Sequence, residues 1–187
     1  IFDDLDYVLQ SPLTDFQPAA ECGRASKAAA MALYGKVALQ CACDEDLASE
    51  KSQFLTTAID KLGQVWGMRP FSELADIPYN QLWDLSTQKS CPESLFQVNF
   101  VQGNADLGSI WNYQFGPSTT GITSYKIGQM HNMTTPEVYA SFDEKDVRRN
   151  YLRSTTVAGV TYYHTMKYAD LECGANGYGG NNWIVLR

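Results

Sequence analysis

Between Gly23 and Gln40 the chain runs GRASKAAAMALYGKVALQ, a series of strong helix formers in which Ala25, Ala28, Ala32 and Gly35 recur at helical spacing. Small side chains along one stripe let a neighbouring helix come close. Met31, Leu33, Tyr34, Val37 and Leu39 fill the remaining circumference, so the predicted helix is apolar nearly all round and needs cover on more than one side. After the acidic interruption at Asp44–Asp46, residues Leu47, Phe54, Leu55, Ala58, Ile59, Leu62 and Val65 trace a second helical stripe that ends near Gly67. Two helices joined by a short turn predict an αα-hairpin. Ahead of it, Leu5, Val8 and Leu9 beside Asp3, Asp4 and Asp6 predict an amphipathic helix, which Ser11-Pro12 stops.

Beyond Pro70 the pattern changes. Tyr79–Leu85 suits one or two helical turns, and Leu95–Val101 alternates Phe96, Val98 and Phe100 with Gln97 and Asn99, a strand signature. Gly103–Thr134 is polar and loop-like, with Trp111, Tyr113, Phe115 and Tyr125 set within it. Thr134-x-x-Glu137 offers a capping box with Pro136 in the first turn, predicting a short helix through Val138 and Phe142. A charged turn over Asp143–Asn150 leads to β segments at Tyr151–Thr156 and Tyr162–Tyr168, a hairpin about Ala158-Gly159. A glycine- and asparagine-rich loop over 174–182 precedes a short apolar run.

The 187 residues suit one domain or a large piece of one, and 14 Lys+Arg stand against 21 Asp+Glu, a net charge of -7. Basic residues gather only at Arg148, Arg149 and Arg153, so no nucleic-acid footprint is present. No run reaches the roughly 18 apolar residues of a membrane-spanning helix. The chain opens on Ile1-Phe2 without Met and stops in mid-pattern at Arg187; it is expected to be part of a longer mature protein. Its five cysteines are scattered and odd in number, which favours buried thiols over a disulfide framework, and Cys41-x-Cys43 is too tight for a zinc knuckle. No metal and no cofactor is expected.

Catalytic patterns are equally wanting. Asp143, Glu144 and Asp146 lack the Gly and Glu that complete a calcium loop, and the nearby Arg148 and Arg149 suit a local ion-paired turn instead. The glycine-rich 174–180 does not open into a helix, as a phosphate cradle would. No serine lies in a nucleophile elbow, and no spacing singles out a carboxylate pair for glycoside hydrolysis. Aromatic residues are more telling. Sugar rings stack their C–H faces on Trp and Tyr, while their hydroxyls need amides and charged groups as partners. Trp111-Asn112-Tyr113-Gln114-Phe115 supplies both, and with Tyr125 it gives the candidate ligand residues Trp111, Asn112, Tyr113, Gln114 and Tyr125. The competing reading is a half-buried strand that packs Trp111, Tyr113 and Phe115 inward. Trp66 and Trp83 lie on helical stripes and are expected in the core.

In order along the chain, Asp4-Leu5, Gly23-Arg24-Ala25-Ser26-Lys27-Ala28-Ala29, Pro92-Glu93-Ser94-Leu95-Phe96-Gln97-Val98, Thr135-Pro136-Glu137 through Arg149, and Asn182–Arg187 resemble segments of the SusD/RagB family. These are surface lipoproteins of the Bacteroidetes outer membrane. The resemblance implies a mainly α fold, tetratricopeptide-like helical hairpins forming an α-α superhelix with loops and a few short strands. Residues 1–67 would then be the helical part and 68–187 a loop-rich ligand-binding part. It further implies a non-catalytic protein that binds a nutrient glycan and hands it to a SusC-like TonB-dependent transporter, held at the membrane only by a lipid anchor outside this chain. A peptide- or protein-binding scaffold of the same family is the alternative, and a glycoside hydrolase a more distant one. The short turn at Asp44–Glu50 and the cysteines at 41 and 43 depart from the family pattern.

Overall fold

The central helix, α2 (Lys27–Ala42), is started by Ser26, whose extended backbone lets Oγ accept from the Ala29 amide at 3.2 Å. It begins four residues later than its composition predicts because Gly23–Ala25 belong to a turn that follows a 3-10 segment at Ala19–Glu21, where Arg24 pairs with Glu21. This computed structural model describes residues 1–115, 129–174 and 177–187, without the side chain of Val157. They form two compact units. Ile1–Ile77, Lys89–Val98 and Trp183–Arg187 make the first; Pro78–Gln88 and Asn99–Asn182 make the second.

In the first unit α1 (Phe2–Gln10) and α3 (Lys51–Met68) flank α2, with a 3-10 segment at Glu45–Glu50 leading into α3. The small-residue stripe does what its spacing predicts: Ala28, Ala32 and Gly35 are buried, and a Cβ added to Gly35 would meet Leu62 Cγ at 2.5 Å. Ala25, outside the helix, is exposed. On the α1 side, Leu5 packs with Ala30 and Tyr34, while Phe2 touches the rings of Tyr34 (5.0 Å) and Phe54 (6.0 Å). Burial first, then the neighbouring Asp6, pushes the Tyr34 phenol above its ordinary range. Cover is incomplete: Leu33 and Leu39 keep 40% and 41% of their surface. Trp66 is no core residue either. It lies at the end of α3, 45% exposed, with the Arg69 guanidinium 4.0 Å from its ring and Phe71 at its edge. A short strand, β1 (Phe96–Val98), ends three residues earlier than its alternation predicts and pairs antiparallel with β4 (Trp183–Leu186).

The second unit holds α4 (Trp111–Phe115), α5 (Pro136–Ser141) and the hairpin of β2 (Leu152–Val157) and β3 (Val160–Thr165). Ala158 (φ 49°) and Gly159 (φ 81°) both take the left-handed conformation, which gives the two-residue turn whose twist matches the strands. The cap of α5 is Thr135, one residue after the predicted Thr134: Thr135 Oγ1 accepts from the Val138 amide, and Thr134 instead bridges to Tyr163. Asp146 accepts from the Arg148 amide at 2.9 Å and from its guanidinium at 2.6 Å, the ion-paired turn the sequence implies, and Arg148 holds that carboxyl below its usual range. Of the cysteines, Cys91 and Cys173 are buried and Cys43 is exposed; no disulfide joins them.

Candidate functional site

The segment 111–115 is a single helical turn and a half, neither extended strand nor open loop, and Asn112 is what fixes it. That side chain is 2% exposed. Its Oδ1 accepts from the Asp170 amide at 2.9 Å, and its Nδ2 faces Asp170 O, Gly177 O and Cys173 Sγ at 3.0–3.3 Å. Asn112, one of the candidate ligand residues, thus sits buried within the frame of the site. Asp170, fully buried, accepts from Gln102 Nε2 (2.8 Å), the Glu172 amide (3.0 Å) and the Gly180 amide (2.8 Å). Gln88 clamps the same segment, donating to Gly180 O at 2.9 Å and accepting from the Asn182 amide at 2.8 Å. A Cβ on Gly179 would stand 3.1 Å from Asn112 Cβ and 3.2 Å from Asp170 Cβ. The glycines let the backbone thread between buried polar side chains, which are satisfied in turn by that backbone.

Helical spacing brings Trp111 and Phe115 together, four residues apart, as a stacked pair at 5.3 Å and 14°. From Phe115 a continuous row of rings follows. Phe115 meets Tyr168 at 5.6 Å, Tyr168 meets Trp83 edge-on at 5.9 Å, Trp83 meets Tyr79 at 6.2 Å, and Tyr79 meets Tyr151 edge-on at 5.5 Å. The Lys167 ammonium lies 4.8 Å from the Trp83 ring and 5.8 Å from that of Tyr79. Beside the row opens a cavity of about 350 Å³, lined among others by Trp83, Asp84, Tyr151, Met166, Asp170 and Glu172. Tyr151 donates to Asp84 Oδ1 at 3.2 Å, and burial, followed by the Asp84 charge, drives its phenol far above the ordinary value, so it stays a donor. Trp83 Nε1 is buried with no partner among the described residues.

Trp111, Tyr113 and Gln114 are half-buried. The carbonyls of Tyr113 and Gln114 accept from the amides of Gln129 (2.9 Å) and His131 (2.7 Å), which fastens the chain beyond α4 to its end. Tyr125 lies outside the described residues. Trp83, expected in the core, is half-buried and reaches the cavity; neither it nor Tyr151 and Lys167 carries a local sequence cue, because 67 positions separate Asp84 from Tyr151. Among the described residues no three His, Cys, Asp or Glu side chains converge as a metal site would require. The arrangement offers ring faces and edges, carboxylates that accept and an indole N–H that donates, which is equipment for holding hydroxylated rings.

No protein-family model and no curated protein matches the sequence. Solved structures do. Surface glycan-binding protein A from Bacteroides thetaiotaomicron, solved in complex with laminarihexaose, is similar over 99% of this chain, with TM-score 0.71 and 16% identity. A SusD superfamily protein from Bacteroides vulgatus is similar over 99% as well, with TM-score 0.63 and 20% identity. The chain has a SusD-like fold. It is mainly α with few short strands, as the sequence resemblance implies, and it spans 45% and 37% of those two chains. At such identities a SusD-like chain shares its neighbours' backbone while its side chains are its own.

Proposed function

We propose that this SusD-like chain belongs to a cell-surface protein that binds a nutrient glycan without cleaving it and passes it to a SusC-like TonB-dependent transporter. The observation that carries this reading is the ring row from Trp111 to Tyr151 beside a cavity with carboxylate and indole partners, on a fold whose solved example holds laminarihexaose. Trp111, Tyr113 and Gln114 are the proposed contacts at one end, with Tyr125 a further proposed contact from the same polar stretch of sequence; Trp83, Asp84, Tyr151 and Glu172 are the proposed contacts at the other. A net charge of -7 and an acid-lined cavity favour a neutral glycan over an anionic one. The outer-membrane location and a lipid anchor outside this chain follow from the same reading.

Calorimetric titration of laminarihexaose and other neutral oligosaccharides, beside a panel of peptides, tests it. Saturable glycan binding that Trp83→Ala weakens at least tenfold is the expected result. Binding of peptides alone would move the reading to a peptide scaffold, and release of shorter sugars from a bound glycan would make the protein a hydrolase.

A further inference from the structure

The first unit contains a buried polar group that its own packing does not explain. Gln97, the middle residue of β1, is 1% exposed. Its Oε1 accepts from Ser94 Oγ at 3.1 Å, while its Nε2 is buried with no partner among the described residues. Exchanging the nitrogen and oxygen of the amide would give Ser94 a donor and leave the oxygen alone, so in either orientation one polar atom is unmatched. Buried polar atoms are rarely left so, and each exception calls for a water, an ion or a ligand.

Gln97 lines a cavity of about 300 Å³. One wall is apolar, built from Phe16, Pro70, Pro92 and Leu95; Ser26 and Ser90 lie among the polar lining. Lys89 is its one charged lining residue and is exposed, so its ammonium stays hydrated and gives no strong call for an anion. We propose that this cavity is a second binding site, for one small neutral polyhydroxylated molecule such as a single pyranose ring. A hydroxyl both donates and accepts, so it satisfies the Gln97 amide in either orientation, as neither a carboxylate nor an ammonium does. The ring's C–H face meets the apolar wall. The volume lies at the bottom of the roughly 300–1,000 Å³ range of small-molecule sites, which suits one ring and not an oligosaccharide. The site lies wholly within the helical unit and does not depend on the aromatic row.

The test is a titration of the isotope-labelled protein with methyl glucoside, methyl galactoside and N-acetylglucosamine, followed by NMR at the Gln97 side-chain amide, assigned by through-bond experiments on the wild type. The expected result is a saturable shift of that amide by at least one of the three sugars. Gln97→Leu should lose the sugar's stabilising effect on melting while still binding laminarihexaose as the wild type does, and Trp111→Ala should keep the Gln97 shift even where it abolishes oligosaccharide binding. An amide unmoved by all three sugars, with a bound water as its sole neighbour, overturns the proposal whether or not Gln97→Leu folds. A shift that Trp111→Ala removes overturns it too, since the sugar would then be acting through the other unit.

Discussion

Replacing Asp170 by Ala tests the frame that positions α4. Three donors lose their acceptor: Gln102 Nε2, the Glu172 amide and the Gly180 amide. Gln102 is exposed and the Glu172 amide only partly buried, so water restores most of what those two lose. The Gly180 amide is buried, and an orphaned buried donor costs about 1–3 kcal/mol on top of the charge-assisted bond it made. With the cavity left by truncation, the total comes to about 3–4 kcal/mol, or roughly 6–16 °C in melting temperature for a chain of this size. Hydrogen exchange reads the change locally: if opening near Gly180 becomes easier by about 3 kcal/mol, its amide exchanges roughly 100-fold faster. Asp170→Asn keeps one acceptor but turns an N–H toward a donor, and should cost roughly 2 kcal/mol. An Asp170→Ala protein that melts within a degree of the wild type, with Gly180 exchanging at the wild-type rate, would refute the claim that this carboxylate holds the frame.

Trp111→Ala removes one face of the Trp111–Phe115 stack, worth about 0.5–1.5 kcal/mol, so melting should fall little while glycan affinity, read by calorimetry, falls about tenfold. A loss of about 3–5 kcal/mol in stability with unchanged affinity of the folded protein would make Trp111 a packing residue instead. Ala28 has no exposed surface, and Ala28→Leu should overpack α2 by about 1–3 kcal/mol in a denaturant melt. His164 on β3 is fully buried, its Nε2 3.1 Å from Thr155 Oγ1; burial, more than the nearby Arg153, lowers its pKa beneath the ordinary 6.5. The unfolded chain then takes up the proton first, so this residue's contribution is complete above about pH 6.5 and is lost as the pH falls from there toward the folded value. Melts of His164→Phe against pH should show a shallower acid slope than the wild type.

The sequence made some parts of this molecule plain and hid others, for reasons that lie in the range of the forces involved. The αα-hairpin is legible because a small-residue stripe and an apolar stripe at helical period leave the backbone little else to do. The β2–β3 hairpin is legible because Ala158-Gly159 carries the turn within two residues. The burial of Asn112 was not legible, because a carboxamide has the same chemistry facing water or facing Asp170, and the partner it meets is 58 positions away. The five-residue α4 is too short to repeat its period in the sequence, and the hydrogen bonds that hold Asn112 come from 58 to 65 positions away. Trp66 sits on the predicted stripe, yet its ring is stacked beneath Arg69 at the helix end, where a guanidinium, and not another helix, covers it. Cavity residues such as Trp83 and Tyr151 were beyond the reach of any local pattern.

The clamp of Gln88 on Asn182 has a bearing on the order in which the chain folds. It closes a loop of 94 residues, and the β1–β4 pairing closes another of similar span. Relative to a ten-residue hairpin, such a closure costs about 2 kcal/mol more in chain entropy, some three doublings of loop length. Local pieces, the α2–α3 hairpin and the β2–β3 hairpin, can form while the polypeptide is still emerging from the ribosome. Both units must wait for 177–186 before they can close, so during synthesis β1 stands as an unpaired edge and the Asp170 carboxylate lacks the Gly180 amide that donates to it. Point changes in that late glycine-rich thread should therefore lower the yield of folded protein more than they lower the stability of what does fold.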